Sequence, residues 1–100
     1  LHGEAVAVGM RTAAALSVRC AGLSPNARER LDALLDRFRL PRRMPPTPVA
    51  RLFACMERDK KADAHGVRWV LTPRVGHASV PRLIPRRLVR AALLEAGARG

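Results

Sequence analysis

Four prolines lie within eight residues near the middle of the chain: Pro41, Pro45, Pro46 and Pro48. Proline lacks a backbone N–H and its ring clashes with the preceding helical turn, so no helix can run through this stretch. We therefore expect an ordered or semi-rigid connector over residues 41–48, with separate helical segments on its two sides.

Residues 4 to about 21 are rich in apolar side chains on nearly every side. This pattern predicts a long, mostly buried helix before the connector. Arg11 and Arg19 are expected on its wetter side, and Gly22 ends it in the usual C-terminal position. Gly9 in the helix interior costs up to ~1 kcal/mol relative to alanine. A close contact with another helix or with a ligand would explain this glycine.

Three further helices follow from capping residues and apolar spacing. They cover about residues 25–38, 48–58 and 85–96. The second helix begins at the cap Ser24-Pro25 and carries its inward stripe on Leu31, Leu34, Leu35 and Phe38. The mixed charges on its other side are typical of a solvated face.

Alternating residues of high strand propensity predict a short hairpin that pairs residues 67–71 with residues 77–80 and ends at Pro81 and Pro85. The fold class is therefore mainly α: one small helical domain over residues 1–100, with about four helices and one short β-hairpin. The chain opens inside what reads as a helix, so we expect it to be part of a longer polypeptide. No apolar run approaches the ~20 residues needed to span a bilayer, so no membrane partner is expected.

A net charge of +11 raises the hypothesis of a polyanionic partner such as a nucleic acid. However, 17 of the 19 basic residues are arginines scattered along the whole chain, a pattern that a GC-rich coding bias also produces. Cys20 and Cys55 lack the spacing of a zinc site and are interpreted as buried free thiols of a cytosolic protein. An arginine-rich nucleic-acid-binding domain therefore stays only as an alternative.

His2 stands at the start of the first helix, followed by Gly3 and Glu4. A single histidine at this position can be an ordinary surface residue, or it can project into a cleft as a metal ligand. A catalytic zinc site needs two more protein ligands, and the spacing of His65 and His77 fits no ligand pattern. If His2 binds a metal, we expect its partner ligands before residue 1.

The only two lysines, Lys60 and Lys61, are adjacent and follow Asp59 at the end of the third predicted helix. Cations suit the C-terminal end of a helix dipole, which is one interpretation of the pair. The other is that a lysine binds an anionic group of a substrate, for which a compact charge on a flexible stem is suited.

Together these two segments resemble those of the 3-dehydroquinate synthase family. Residues 2–10, HGEAVAVGM, are similar to the HGEAVxxGM segment of those enzymes, and residues 56–61, MERDKK, are similar to their MxxDKK segment. Lys60 follows His2 by 58 positions, which also matches the family. The resemblance extends over essentially all 100 residues as the C-terminal helical domain.

The resemblance implies an NAD- and metal-dependent carbon–oxygen lyase that converts 3-deoxy-D-arabino-heptulosonate 7-phosphate into 3-dehydroquinate and phosphate in the shikimate pathway. It implies that His2 is a zinc or cobalt ligand and that Lys60 or Lys61 binds the substrate. It assigns NAD mainly to an N-terminal domain that these residues do not include, so the chain alone should be inactive. It also implies a cytoplasmic enzyme and a homodimer of the full-length protein.

Three positions depart from the family pattern: Arg11 replaces an aliphatic residue, Ala62 a polar one, and His77 a lysine or arginine. These departures keep open a related sugar-phosphate cyclase of secondary metabolism. The retained lysine pair favours a substrate with a carboxylate, and hence the synthase.

Overall fold

The computed structural model describes residues 2–58 and 62–100, so Asp59, Lys60 and Lys61 lie outside the described residues. The described residues form four helices and three short strands, which confirms the mainly α class. In chain order they are α1 (His2–Cys20), α2 (Pro25–Arg37), α3 (Val49–Arg58), β1 (Ala62–Asp63), β2 (Gly66–Trp69), β3 (Arg82–Ile84) and α4 (Arg86–Glu95).

The core lies where α1, α3 and α4 meet one face of the sheet. Its most deeply buried apolar side chains are Leu16, Val67, Leu71, Ile84 and Val89, all 2% exposed or less. Full burial of such a side chain contributes about 1.5–3 kcal/mol relative to exposure. Among the described residues no helix is both long and apolar enough to cross a bilayer.

The predicted hairpin was right in its first strand and wrong in its second. β2 is the central strand of an antiparallel sheet and pairs with β1 on one side and β3 on the other, with Val67 opposite Ile84. Strand β3 begins after Pro81, whereas Val80 stays 78% exposed. The register follows from burial, because Ile84 is the residue that can fill the core opposite Val67.

The proline-rich connector is ordered, as predicted. Met44 N donates a hydrogen bond to Ala96 O at 2.8 Å, and Val49 N donates to Arg99 O at 2.9 Å. Gly97 has a φ of +107°, and a Cβ there would lie 2.9 Å from Met44 O. Only glycine therefore allows this close approach, which fixes the connector against the segment after α4.

Helix α2 begins as predicted, with Ser24 Oγ accepting a hydrogen bond from Ala27 N at 3.0 Å. Its predicted inward stripe was largely wrong. Only Leu35 is buried, while Leu34 is 50% exposed and Phe38 is 71% exposed. Polar contacts, described below, attach this helix to α1 instead of an apolar stripe.

Candidate active-site groove

A groove of about 640 Å³ runs between the first turns of α1 and the connector, and we call it the α1–connector groove. Helix α3, strand β2 and helix α4 complete its walls and floor. Its lining is mostly apolar and is formed by Glu4, Ala5, Val8, Gly9, Thr12, Pro41, Arg43, Met44, Pro45, Thr47, Leu52, Met56, Trp69 and Leu93.

Both segments that carry the family resemblance have a described residue in the lining of this groove. Glu4, from the first segment, lies in the first turn of α1. Met56 opens the second segment and lines the groove from the last turns of α3. The predicted substrate ligands Lys60 and Lys61 lie outside the described residues, four and five positions after Met56.

His2 and Glu4 do not act on the same side of α1. Residues two positions apart in a helix point in directions about 200° apart, so they do not face each other. Glu4 lines the groove, whereas the exposed His2 is not among the lining residues. The imidazole and the carboxylate, two positions apart in the sequence, are thus directed to different sides of the helix.

His2 fits as one metal donor, but the described residues do not complete a metal site. An exposed imidazole nitrogen is a suitable ligand for zinc or cobalt. Residues 2–58 and 62–100 contain no cluster of three histidine, cysteine, aspartate or glutamate side chains that could hold a metal ion. His77 is already engaged, because its Nε2 lies 2.7 Å from Arg74 Nη2. A metal ion bound by His2 would therefore need its other ligands from outside these residues.

Trp69 gives the groove an unusual polar group. Its indole Nε1 is buried and has no hydrogen-bond partner among the described residues. A buried N–H left without an acceptor costs about 1–3 kcal/mol. Thr12 also lines the groove, and its Oγ1 donates to Val8 O at 2.9 Å. The Trp69 indole N–H and the charged side chains of Glu4 and Arg43 are therefore groups of the groove that a ligand could use.

Arg11 fixes the distance between the two walls of the groove. Its guanidinium, on α1, donates to the carboxylates of Asp32 at 2.8 Å and Asp36 at 2.9 Å. It also donates to the carbonyls of Leu40 and Pro41, both at 3.0 Å, where the connector begins. The prediction that Arg11 lies on a wetter side was wrong: the residue is only 6% exposed. A buried arginine is tolerated here because several acceptors surround it.

Asp36 is shared between two arginines. The hydrogen bond from Arg42 is the largest cause that holds the pKa of the Asp36 carboxyl below its ordinary value. Desolvation opposes it, and the hydrogen bond from Arg11 lowers the pKa further. The same contact raises the pKa of Arg42. The carboxylate is thus kept ionised, which maintains the attachment of α2 to both α1 and the connector.

Sequence reasoning missed Arg11, Arg43 and Trp69 as parts of this region. A signal for Arg11 existed: an arginine within an apolar helix, with Asp32 and Asp36 one helical turn apart in the next helix. No comparable signal marks Trp69, since its place in the groove depends on the packing of β2 against α1 and α3.

Comparison with known proteins shows the family of the chain. Residues 1–62 match the family described as 3-dehydroquinate synthase C-terminal. The chain is 45% identical over 96 residues to the 3-dehydroquinate synthase of Halorhodospira halophila, covering 96% of this chain and 27% of that protein. It is 38% identical over 93 residues to the enzyme of Thermosynechococcus vestitus, covering 92% of this chain and 25% of that protein.

A third relative, the 3-dehydroquinate synthase of Acinetobacter baylyi, is 37% identical over 94 residues, which are 94% of this chain and 26% of that protein. The chain thus spans about a quarter of the length of the curated relatives that it matches. With a family match over more than half of the chain, and with both of its diagnostic segments on one groove, the chain belongs to the 3-dehydroquinate synthase family and corresponds to its C-terminal part.

Proposed function

We propose that this chain is the part of a 3-dehydroquinate synthase that supplies one metal ligand and the substrate-binding lysines, and that the α1–connector groove holds part of the substrate. The single observation that carries the proposal is that Glu4 and Met56, one from each family segment, line the same groove. The substrate would be the phosphorylated sugar acid 3-deoxy-D-arabino-heptulosonate 7-phosphate.

His2 would contribute one imidazole ligand to a divalent zinc or cobalt ion, and ligands from the preceding part of the synthase would complete the set. A metal bound there would polarise the hydroxyl group on the carbon that is oxidised. NAD would be held mainly by that preceding part. Because most of a synthase lies outside these residues, we expect no activity from the chain alone.

Lys60 or Lys61 would bind an anionic group of the substrate. Both follow Met56 closely in the sequence, and Met56 lines the groove from α3. Arg43 adds a second cation on the connector wall, which suits a substrate that carries both a carboxylate and a phosphate. All three relatives named above are 3-dehydroquinate synthases, which favours this substrate over that of another sugar-phosphate cyclase.

The test is a fusion synthase, in which this chain replaces the matched C-terminal segment of the Halorhodospira halophila enzyme. We expect the fusion to release phosphate from 3-deoxy-D-arabino-heptulosonate 7-phosphate and to form 3-dehydroquinate. Lys60→Ala and Lys61→Ala, made separately, should identify the substrate-binding lysine by a loss of about tenfold to a thousandfold in kcat/KM.

Arg58→Ala is the matched control, because Arg58 is an exposed cation two positions before Lys60 and does not line the groove. An active fusion in which both lysine variants behave like this control would contradict the proposed role of the lysines. A stably folded fusion without activity on this substrate would contradict the proposed function.

A further inference from the structure

A second cavity, of about 370 Å³, lies between the first turns of α3 and α4, and we call it the arginine cavity. Its lining is formed by Val49, Ala50, Phe53, Arg86, Arg87, Arg90 and Gly100. The α1–connector groove shares none of these residues. The functional site described above therefore makes no use of this cavity.

Three arginines of α4 point to one side of that helix. At about 100° and 1.5 Å per residue, Arg86, Arg87 and Arg90 fall within an arc of about 100° and a length of about 6 Å. Arg86 is held in place, because its Cζ lies 4.3 Å from the centroid of the Phe53 ring and its Nη1 lies 3.2 Å from Glu57 Oε1. Like charges this close on one helix are unfavourable, and a bound anion would compensate them.

The positive charge of the arginine cavity is not balanced by the described residues. On α1, α2 and the connector, three arginines each pair with a carboxylate: Arg11, Arg28 and Arg42. The ion pairs within residues 2–58 and 62–100 include neither Arg87 nor Arg90. The first turn of α4 also carries no acidic residue, although the helix dipole disfavours cations there. Two guanidinium groups thus face one cavity without a carboxylate.

The lining favours a phosphate group attached to an apolar body. The planar fork of arginine matches the oxygens of a phosphate, and the two charges of a phosphate monoester near neutral pH equal those of Arg87 and Arg90. Val49 and Phe53, which are 6% and 7% exposed, supply an apolar wall beside the guanidinium groups. This wall is preformed, since Val49 N donates to Arg99 O at 2.9 Å and ties α3 to the segment after α4.

We propose that the arginine cavity binds a small organic phosphate, with Arg87 and Arg90 holding the phosphate group and Val49 and Phe53 contacting the organic part. Arg86 keeps its contacts with Phe53 and Glu57 and borders the same space. The proposal is independent of the function proposed above, because the cavity and the groove have no lining residue in common.

Calorimetric titration of the fusion synthase with phenyl phosphate tests the role of the arginines. Arg87→Gln with Arg90→Gln removes two charge-assisted contacts, so we expect the dissociation constant to rise by at least about thirtyfold. The matched control is Arg30→Gln with Arg37→Gln, which removes the same charge from exposed positions on α2 outside the cavity. This control should change the dissociation constant by less than about twofold.

Two further probes distinguish the sources of the phosphate group. Inorganic phosphate has no organic part, and glucose 6-phosphate has a polar one. We expect the binding that depends on Arg87 and Arg90 to be at least about fivefold tighter for phenyl phosphate than for either, because only the phenyl ring buries apolar surface on Val49 and Phe53. Equal binding of all three probes would overturn the contact with the apolar wall and assign the cavity to free phosphate.

Arginine modification localises the site without any substitution. Phenylglyoxal reacts with guanidinium groups, and peptide mass spectrometry reports the rate at each arginine of the fusion. Phenyl phosphate at about ten times its dissociation constant should slow the modification of Arg87 and Arg90 by about tenfold and leave that of Arg30 unchanged.

The outcomes separate this proposal from the proposed function. Unslowed modification of Arg87 and Arg90 overturns the phosphate site, even if the double variant loses binding by unfolding. The same result in a fusion that is active on its substrate leaves the function standing. Slowed modification in a folded but inactive fusion supports the phosphate site and contradicts the function.

Discussion

Helix α1 is held by two neighbours in two physically different ways. On the side of α2, the contact depends on Arg11, which reaches two carboxylates and two carbonyls. On the side of α4 and the sheet, the contact is apolar and is centred on Leu16, which is fully buried. The polar contact joins α1 to the start of the connector, and the apolar contact belongs to the hydrophobic core. The two should therefore respond differently to substitution and to pH.

Breaking the apolar contact should have the larger effect on stability. Leu16→Ala removes a side chain that is 0% exposed and leaves a cavity among α1, α4 and the sheet. We expect the free energy of unfolding to fall by about 2–5 kcal/mol, measured by urea denaturation. Val80→Ala, at a residue that is 78% exposed, is the control and should change it by less than about 0.5 kcal/mol.

Breaking the polar contact should lower the free energy of unfolding by less. It should have a larger effect on the local stability of the connector. Arg11→Met removes the donor that Arg11 supplies to the Asp32 carboxylate and to the Leu40 and Pro41 carbonyls, while Asp36 keeps its hydrogen bonds from Arg42. Since both carboxylates retain some access to water, we expect a loss of about 1–3 kcal/mol.

Hydrogen exchange should locate that loss. The Met44 amide, which donates to Ala96 O, should exchange faster in Arg11→Met, because the connector is released at its start. Arg19→Met, on the exposed side of the same helix, is the matched control. If the two variants are equally stable and equally protected, Arg11 does not hold the groove together.

The pH dependence of stability should also distinguish the two contacts. This is the smallest of the expected effects. The pKa of Asp36 is lowered in the folded chain from its ordinary value of 3.8 by Arg42 and Arg11. A lowered carboxyl pKa contributes stability that is present above the unfolded value and is lost as the pH falls through the folded value. The stability difference between the native chain and Asp36→Asn should therefore be present at about pH 6 and shrink progressively below about pH 4.

Glu29→Gln, on the exposed side of α2, is the control for this titration. The Leu16→Ala defect should keep the same size over the same range, because no ionisable group takes part in that contact. If the loss of stability in Leu16→Ala had the same pH dependence as the loss in Asp36→Asn, the distinction between the two contacts would be contradicted.

This comparison also explains how much could be predicted from the sequence. The helices follow from local signals such as the Ser24 cap and the proline cluster, and their bounds were close to those observed. The burial of Arg11 and the exposure of Leu34 and Phe38 were not predictable from periodicity, because both depend on which neighbour α2 meets. Strand β3 was misplaced for the same reason, since the burial of Ile84 opposite Val67 is a tertiary requirement.

The candidate site was predictable only in part. The two family segments named His2, Lys60 and Lys61 as site residues, and the roles of these three remain predictions. The groove that the segments share requires the connector to fold back against α1 and α4, which no local pattern encodes.

The central claim is that His2 supplies a metal ligand to a synthase active site, and the metal content of the fusion synthase tests it most directly. After purification and brief chelation, zinc and cobalt are measured per polypeptide for the native fusion, for His2→Ala and for the control His77→Ala. We predict about one divalent ion per polypeptide in the native fusion and in His77→Ala, and a weakening of metal affinity of at least about a hundredfold in His2→Ala. Unchanged metal content and unchanged activity in His2→Ala would contradict the account.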